Sequence, residues 1–325
     1  IKPSSLGDVV HSLPFLNAIK TRFPRAEIHW VIAKGLEGLL EGHPMIDKLW
    51  IVRKDEWKKI KSARETIGEI KSLFKNLKKE KFDMVIDLQG LLRSGVITSA
   101  TGSAIRIGFT EAREGSRLFY THKVEGGKNI HAVDRYLKIA NFLGCDTSDV
   151  LFPFPIFDSS SSFILHPSSL KEYAVFIPGA RWKTKQWPPE SFGKLSSLLP
   201  VRIIVIGSKS DINIADKIVD LSEGNALSLA GKTNLKELIE VIRGARFVVS
   251  NDSGPMHIAA ALGIPVFALF GPTDPLRTRP YGKGHTVIKG EITCSPCFKK
   301  TCKDVKCMKS LSVENVYENI KINFS

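Results

Sequence analysis

The sequence predicts an α/β fold built from two Rossmann-like, doubly wound parallel-sheet domains facing a cleft. Three observations carry that expectation. The chain has 325 residues, too long for one typical core and suited to two domains of roughly 150 residues each. Short apolar runs alternate with amphipathic helical patterns in both halves, as in a parallel sheet with helices on both faces. Between Leu151 and Lys171 the alternation dissolves into LFPFPIFDSSSSFILHPSSLK, and Pro and Ser clusters of this kind mark a boundary. The expected layout is therefore residues 1–155, a linker at 156–172, a second domain at 173–310, and a C-terminal helix at 311–325 packing back on the first domain.

In the first half, EIHWVIA (Glu27 to Ala33), FDMVIDLQG (Phe82 to Gly90) and IRIGF (Ile105 to Phe109) read as buried strands bounded by Gly or charge. HSLPFLNAIKTRFP and HAVDRYLKIANFLG read as amphipathic helices, the second stopping at Gly144. The stretch Arg53 to Lys81 holds 11 Lys/Arg against 5 Asp/Glu. Its apolar residues Trp57, Ile60, Ile67, Ile70, Phe74 and Leu77 recur at helical spacing, giving an amphipathic helix with a basic face. In the second half, YAVFIPG, VRIIVIGS, ARFVVSNDSG and IPVFALFGP are the strands. Two such domains enclose a cleft where ligands meet strand carboxyl ends, which is a GT-B-like arrangement.

Composition excludes several classes. Hydrophobic content of 43% and charged content of 25% are ordinary for a soluble globular protein. The longest apolar stretch, Ile258 to Gly271, has 14 residues, below the roughly 18 that suggest a membrane span. No charged-then-apolar signal segment opens the sequence, so a cytoplasmic location is expected, and the opening resembles the end of a first strand whose earlier residues precede it. No repeat of solenoid period is visible. The net charge of +14 suits an anionic partner (nucleic acid, an acidic membrane surface or a phosphorylated substrate), with a solvated basic surface as the plainer alternative. No nucleic-acid motif accompanies that charge.

The chemistry concentrates at turns. Near the start, KPSSLGDVVHSLP places Asp8 after a Ser4, Ser5, Gly7 bend with helix formation behind it, where a helix N-terminus favours the ionised carboxylate. In VVSNDSGPMHIAAALGIPVFALFGPTDP, a strand runs into Asn251-Asp252-Ser253-Gly254 and a helix begins near Pro255. Ser253 is the expected cap, and the N–H groups behind it suit a phosphate. His257 either faces that phosphate or belongs to the core. In FIPGARWKTKQWPPESF, Arg181, Lys183 and Lys185 follow a strand end, where lysine acts as a point charge on a diphosphate. Asp211, in IVIGSKSD, is placed to meet ribose or sugar hydroxyls. There is neither a G-x-G-x-x-G fingerprint nor a D-x-D pair, which counts against a nicotinamide dehydrogenase and against a metal held on a diphosphate.

Three segments in this order, KPSSLGDVVHSLP, PGARWKTKQWP and SNDSGPMHIAAALGIPVFALFGPTDP, resemble glycosyltransferase family 9. More narrowly, they resemble its lipopolysaccharide heptosyltransferases of Gram-negative bacteria. The resemblance implies a two-domain GT-B enzyme that is inverting and metal-independent. It would move L-glycero-D-manno-heptose from ADP-heptose to the lipopolysaccharide inner core, on Kdo-lipid A or heptosyl-Kdo-lipid A. The first domain would then bind the acceptor and the second the nucleotide-sugar donor. Carried over, Asp8 matches the catalytic base and Lys185 the donor-phosphate lysine. Asp252, Ser253, Gly254 and His257 match the segment holding diphosphate and sugar, Thr233 the adenine pocket, and Asp211 a sugar or ribose contact. Ala180 and Arg181 stand where the first heptosyltransferase has a Thr-Thr pair.

On the acceptor side, Ser5, Gly7, Gln89, Arg113 and Arg117 are candidates. The basic helix would dock on an anionic inner-leaflet surface, placing the enzyme peripherally at the inner membrane. No cofactor is required. Cys294, Cys297, Cys302 and Cys307 have a spacing suited to a structural zinc or iron–sulfur site, with plain reduced thiols or a labile disulfide as the alternatives. Rival functions are a family 9 transferase using another nucleotide sugar, a GT-B-fold nucleotide-sugar epimerase, and a non-enzymatic basic binding protein.

Overall fold

The computed structural model describes residues 1–53, 63–155 and 172–324. The chain separates into two compact units, Ile1–Ile156 and Phe157–Ser325. The linker expected at 156–172 lies outside the described residues except for Glu172.

In the first unit the order is α1 (Leu6–His11), α2 (Leu13–Arg22), β1 (His29–Ala33), β2 (Lys48–Val52), α3 (Ala63–Lys79), β3 (Met84–Asp87), α4 (Leu92–Ala100), β4 (Ile105–Phe109), β5 (His122–Val124) and α5 (Ala132–Phe142). β1 pairs with β2, and β3 with β4 and β5, all in parallel. Residues 1–3 bridge the two sheets: Pro3 O accepts Ala33 N–H at 3.0 Å and Ile1 O accepts Leu88 N–H at 3.2 Å. With that segment the sheet reads β2-β1-(1–3)-β3-β4-β5, the 3-2-1-4-5-6 order of a Rossmann sheet.

The helix expected over HSLPFLNAIKTRFP forms as α2, and a separate short helix, α1, precedes it, beginning at Leu6, ahead of Asp8 rather than behind it. Pro14 has no N–H to continue the α1 ladder, and Ser12 turns its Oγ onto Val9 O at 2.7 Å. Of the long basic helix, Ala63–Lys79 is described, while Trp57 and Ile60 lie outside the described residues. Leu77, Leu73 and Phe74 pack with Val31, Val52 and Ile97. Ile67, expected on that apolar face, is exposed.

The second unit contains β6 (Tyr173–Ile177), α6 (Pro189–Leu198), β7 (Arg202–Val205), α7 (Ile212–Asp220), β8 (Ala226–Ser228), α8 (Leu235–Arg243), β9 (Val248–Asn251), α9 (Gly254–Ala261), β10 (Val266–Phe270), α10 (Pro275–Thr278), β11 (Thr286–Lys289), α11 (Lys306–Lys309) and α12 (Val313–Phe324). Its parallel sheet runs β11-β10-β9-β6-β7-β8, again 3-2-1-4-5-6 counted from β6. Every residue of β6, β9 and β10 is buried, as expected for strands covered on both faces. The C-terminal helix was expected to pack on the first domain. Instead, Val313, Val316 and Ile320 of α12 belong to the second unit's core with Phe176, Trp187, Phe192 and Phe267, and Trp187 Nε1 donates to Leu311 O at 2.9 Å just before it.

In such sheets the turns after strands 1 and 4 diverge and leave room for a ligand. In the second unit one buried side chain joins them. Asn251 Oδ1 accepts Trp187 N–H at 3.1 Å and its Nδ2 donates to Pro178 O at 2.7 Å. Asn251→Ala strands a buried N–H and a buried carbonyl, at about 1 kcal/mol or more each. Urea unfolding should show a loss of at least about 2 kcal/mol.

Candidate active site

At the first unit's divergence point the chain leaves residues 1–3 and enters α1 through Ser5, whose backbone is extended at the N-cap position. Asp8, on the third residue of the helix, folds back: its Oδ2 accepts the Ser5 N–H at 2.9 Å and the Ser5 Oγ–H at 2.7 Å. This is the return half of a capping box. Its other oxygen, Oδ1, accepts Tyr136 O–H from α5 at 3.3 Å and lies 3.7 Å from Lys2 Nζ. The Asp8 side chain is 40% exposed, whereas Lys2 is 3% exposed. Gly7 is buried in the same turn.

The other side of that divergence point is the turn after β3. Buried Asp87 holds it, accepting Gln89 N–H at 2.8 Å, Gly90 N–H at 3.1 Å and Tyr120 O–H at 2.6 Å. Burial and the Asp87 charge push the Tyr120 hydroxyl far above its ordinary pKa. Gln89 Oε1 accepts Ser4 N–H at 3.3 Å, so Ser5, Asp8 and Gln89 share one locality. Gly90 O accepts the Arg113 N–H at 2.9 Å. Arg113 and Arg117 are both exposed on the stretch after β4.

In the second unit, Asp252 follows β9 and is 7% exposed. Its Oδ2 accepts Lys185 Nζ–H at 2.6 Å and Thr273 Oγ1–H at 2.7 Å. Three turns thus converge on one carboxylate: the 183–185 turn, the β9 turn and the Gly271-Pro272-Thr273 turn after β10. Trp182 lies beneath Lys185, its ring centroid 4.7 Å from Nζ, a cation–π distance. Arg181 and Lys183 point into solvent.

Ser253 is the N-cap residue of α9, but its side chain makes no capping bond; its Oγ lies 3.3 Å from Ser250 Oγ instead. Ser253 thus holds the expected N-cap position without the expected capping bond. Gly254 opens the helix and Pro255 follows it. His257 is buried. Asp211 repeats the Asp8 geometry at the β7 turn, accepting Ser208 N–H at 2.8 Å and Ser208 Oγ–H at 2.6 Å on Oδ2. It lies so close to Gly179 and Gly207 that a Cβ on either would come within 2.7 and 2.8 Å of it. Thr233, between β8 and α8, has a buried Oγ1 with no hydrogen-bond partner among the described residues.

The four clustered cysteines line one cavity of about 170 Å³ together with Thr184, Pro272 and Lys299. Their environments differ. Burial pushes the Cys307 thiol up, while the N–H groups of Val305 and Asp304 pull the exposed Cys302 down. All are free thiols. Among the described residues no three His, Cys, Asp or Glu side chains are gathered closely enough to hold a metal ion, so the expected structural site is not formed. The loop is pinned by protein bonds instead: Pro272 O accepts Cys297 N–H at 3.1 Å and Phe298 N–H at 2.7 Å, Lys299 O accepts Thr184 Oγ1–H at 2.8 Å, and Gly271 O accepts Ser295 Oγ–H at 2.5 Å.

Sequence reasoning left Lys2, Asp87, Tyr136 and Thr273 out of the site. Thr273 carried a signal, the Gly-Pro-Thr turn closing a strand. Tyr136 had none beyond its helix face.

Two Rossmann sheets, each with polar turns at its divergence point, are the elements of a GT-B-type fold, which by itself does not fix an activity. A profile described as glycosyltransferase family 9 (heptosyltransferase) matches residues 70–308, and the chain belongs to that family. It is 32% identical to lipopolysaccharide heptosyltransferase 1 of Pseudomonas aeruginosa, over 93% of this chain and 86% of that protein. It is 29% identical to lipooligosaccharide heptosyltransferase 2 of Haemophilus ducreyi, over 89% and 87%. The solved Escherichia coli heptosyltransferase WaaC with ADP superposes with a TM-score of 0.83 at 28% identity, covering 99% of this chain and 98% of that one. The protein is therefore an enzyme that transfers a glycosyl group. No helix among the described residues is long and apolar enough to cross a membrane.

The Lys185–Asp252 pair has a direct consequence for stability. Lys185→Met leaves a 7%-exposed carboxylate with Thr273 as its remaining named donor. Thermal and urea melts of that variant should show a loss near the lower end for broken buried pairs, about 3 kcal/mol.

Proposed function

We propose that this enzyme transfers L-glycero-D-manno-heptose from ADP-heptose to the lipopolysaccharide inner core, with inversion at the anomeric carbon. Family membership supports the reaction class, and the Asp8 geometry is the observation that carries the mechanism. Oδ2 is filled by two Ser5 donors, so Oδ1 is the oxygen that takes the proton from an acceptor hydroxyl. The freed oxygen attacks the anomeric carbon from the face opposite the diphosphate, a carbon–oxygen bond forms there, and the bond to the diphosphate breaks.

The charge left on ADP is met by Lys185 and the first N–H groups of α9, behind Ser253 and Gly254. Asp252 and Thr273 keep the lysine aimed while it waits. His257 lies one turn further along. Thr233 offers its unsatisfied hydroxyl to the adenosine end, and Asp211 offers the oxygen that Ser208 does not use to ribose or sugar hydroxyls. This chemistry gives the neutralising role to the protein's own cations, so turnover should survive EDTA. Ser5, Gln89, Arg113 and Arg117 bind the acceptor, whose carboxylates and phosphates suit guanidinium groups. The basic residues of α3 and the +14 charge support a peripheral position on an anionic leaflet.

Incubating the protein with ADP-heptose and either Kdo-lipid A or heptosyl-Kdo-lipid A, then weighing the product, tests the reaction and selects the acceptor. A mass gain of one heptose on neither acceptor overturns the reading. Asp8→Asn should lower kcat by about 100-fold or more while calorimetry shows donor binding intact. Lys185→Ala should raise the KM for ADP-heptose and lower kcat together.

A further inference from the structure

Lys2 is a lysine in the wrong place for a surface charge. Its side chain is 3% exposed, and no buried ammonium is retained without partners. The partners are specific: Asp8 Oδ1 at 3.7 Å, the Tyr136 ring with its centroid 4.9 Å from Nζ, and Leu88 O at 3.5 Å. We propose that Lys2 is a positioning residue for the transfer reaction, a permanently charged buried ammonium that, with Tyr136, holds Asp8 Oδ1 ionised and aimed at the acceptor hydroxyl. The proposal rests on Asp8 being the base.

The geometry assigns different tasks to the two carboxylate oxygens. Ser5 fixes Oδ2 through neutral donors, which orients the group without adding charge. Lys2 and Tyr136 address Oδ1, the oxygen that must receive the proton. At 3.7 Å the lysine is too long for a hydrogen bond yet close enough to act on Oδ1 by its charge, from a buried position on one side of a partly solvated carboxylate. It can therefore stabilise the anion without occupying the lone pair that does the work. Lys2 does not act as a base itself. Burial draws its pKa down, but Asp8, Tyr136 and Asp87 outweigh burial and hold it above the ordinary lysine value. Its main chain is fixed as well, since Lys2 O accepts Trp30 Nε1–H at 3.3 Å.

The titratable groups around Asp8 can be named by element. The 1–3 segment contributes Lys2, and β3 contributes Asp87, whose charge also acts on Lys2. From α5 comes Tyr136, with Arg135 next to it paired to Glu111 at 3.6 Å. His11 of α1 and His131, the N-cap of α5, stack edge-on at 5.0 Å. An opposite charge near a carboxylate lowers its pKa, so removing Lys2 must raise that of Asp8.

Two measurements test this. A carboxyl carbon NMR titration of ligand-free protein, with the Asp8 signal assigned by its loss in Asp8→Asn, should move up by about one pH unit or more in Lys2→Met. The acid limb of kcat against pH should move up with it, while ADP-heptose affinity stays unchanged. Lys2→Arg, which restores the charge, should recover part of both. An unmoved Asp8 titration in a folded Lys2→Met overturns the proposal. If Lys2→Met does not fold, Tyr136→Phe should shift the titration the same way by a smaller amount, and no shift there overturns it. Full turnover in Asp8→Asn would instead overturn the base assignment, leaving the titration to judge Lys2 separately.

Discussion

Parallel pairing is the constraint on which everything else depends. Every strand pair in the described sheets is parallel, so each strand must hand over to a crossover at its carboxyl end. The order 3-2-1-4-5-6 makes the chain reverse direction once per sheet, after its first strand. At that place alone, two neighbouring turns depart toward opposite edges. Asp8 and Gln89 occupy it in the first unit. Gly179 and Asp252 occupy it in the second, with Asn251 tying the two turns. The polar groups collect there because backbone N–H groups and short side chains at that point have no adjacent crossover to cover them.

One local device is used twice with different outcomes. Ser5 with Asp8 and Ser208 with Asp211 form the same serine-to-aspartate closure, within about 0.1 Å of each other in both bonds. What separates them is the surroundings. Asp211 is wedged against Gly207 of its own turn and Gly179 of the neighbouring one, so it mainly shapes the backbone. Asp8 has a buried ammonium and a phenol on its second oxygen and keeps 40% of its side chain in reach of solvent. Identical caps shape the backbone in one place and present a half-exposed carboxylate in the other.

That contrast explains how much was legible in the sequence. Fold class was readable because apolar runs and helical patterns alternate at the period that parallel sheets require, and Asp8, Lys185 and Asp252 were readable because each follows a strand-ending turn. The start of α1 ahead of Asp8 was missed, since its six residues are too few to show an amphipathic period. Ser253 holds the N-cap position that its residue type suggested, but its hydroxyl turns to Ser250, a side-chain orientation that the sequence does not reveal. Lys2 and Thr273 escaped for a different reason. A lysine and a threonine look solvated in one dimension, and only the packing of distant strands makes one a buried charge and the other a donor to Asp252. The cysteine spacing does bring the four thiols to one cavity, but among the described residues no three of them are gathered closely enough to hold a metal ion.

The loop carrying those cysteines has another property. Through Thr184, Ser295, Cys297 and Phe298 it is stitched to both turns that supply Lys185 and Thr273, and Lys300 shares the Trp182 ring with Lys185. It behaves as a truss outside the sheet. Severing or stretching a truss leaves the walls standing but lets the joints it braced drift apart. Changes in this segment are therefore felt first as slack between the turns that carry Lys185 and Thr273, with the sheet itself left intact.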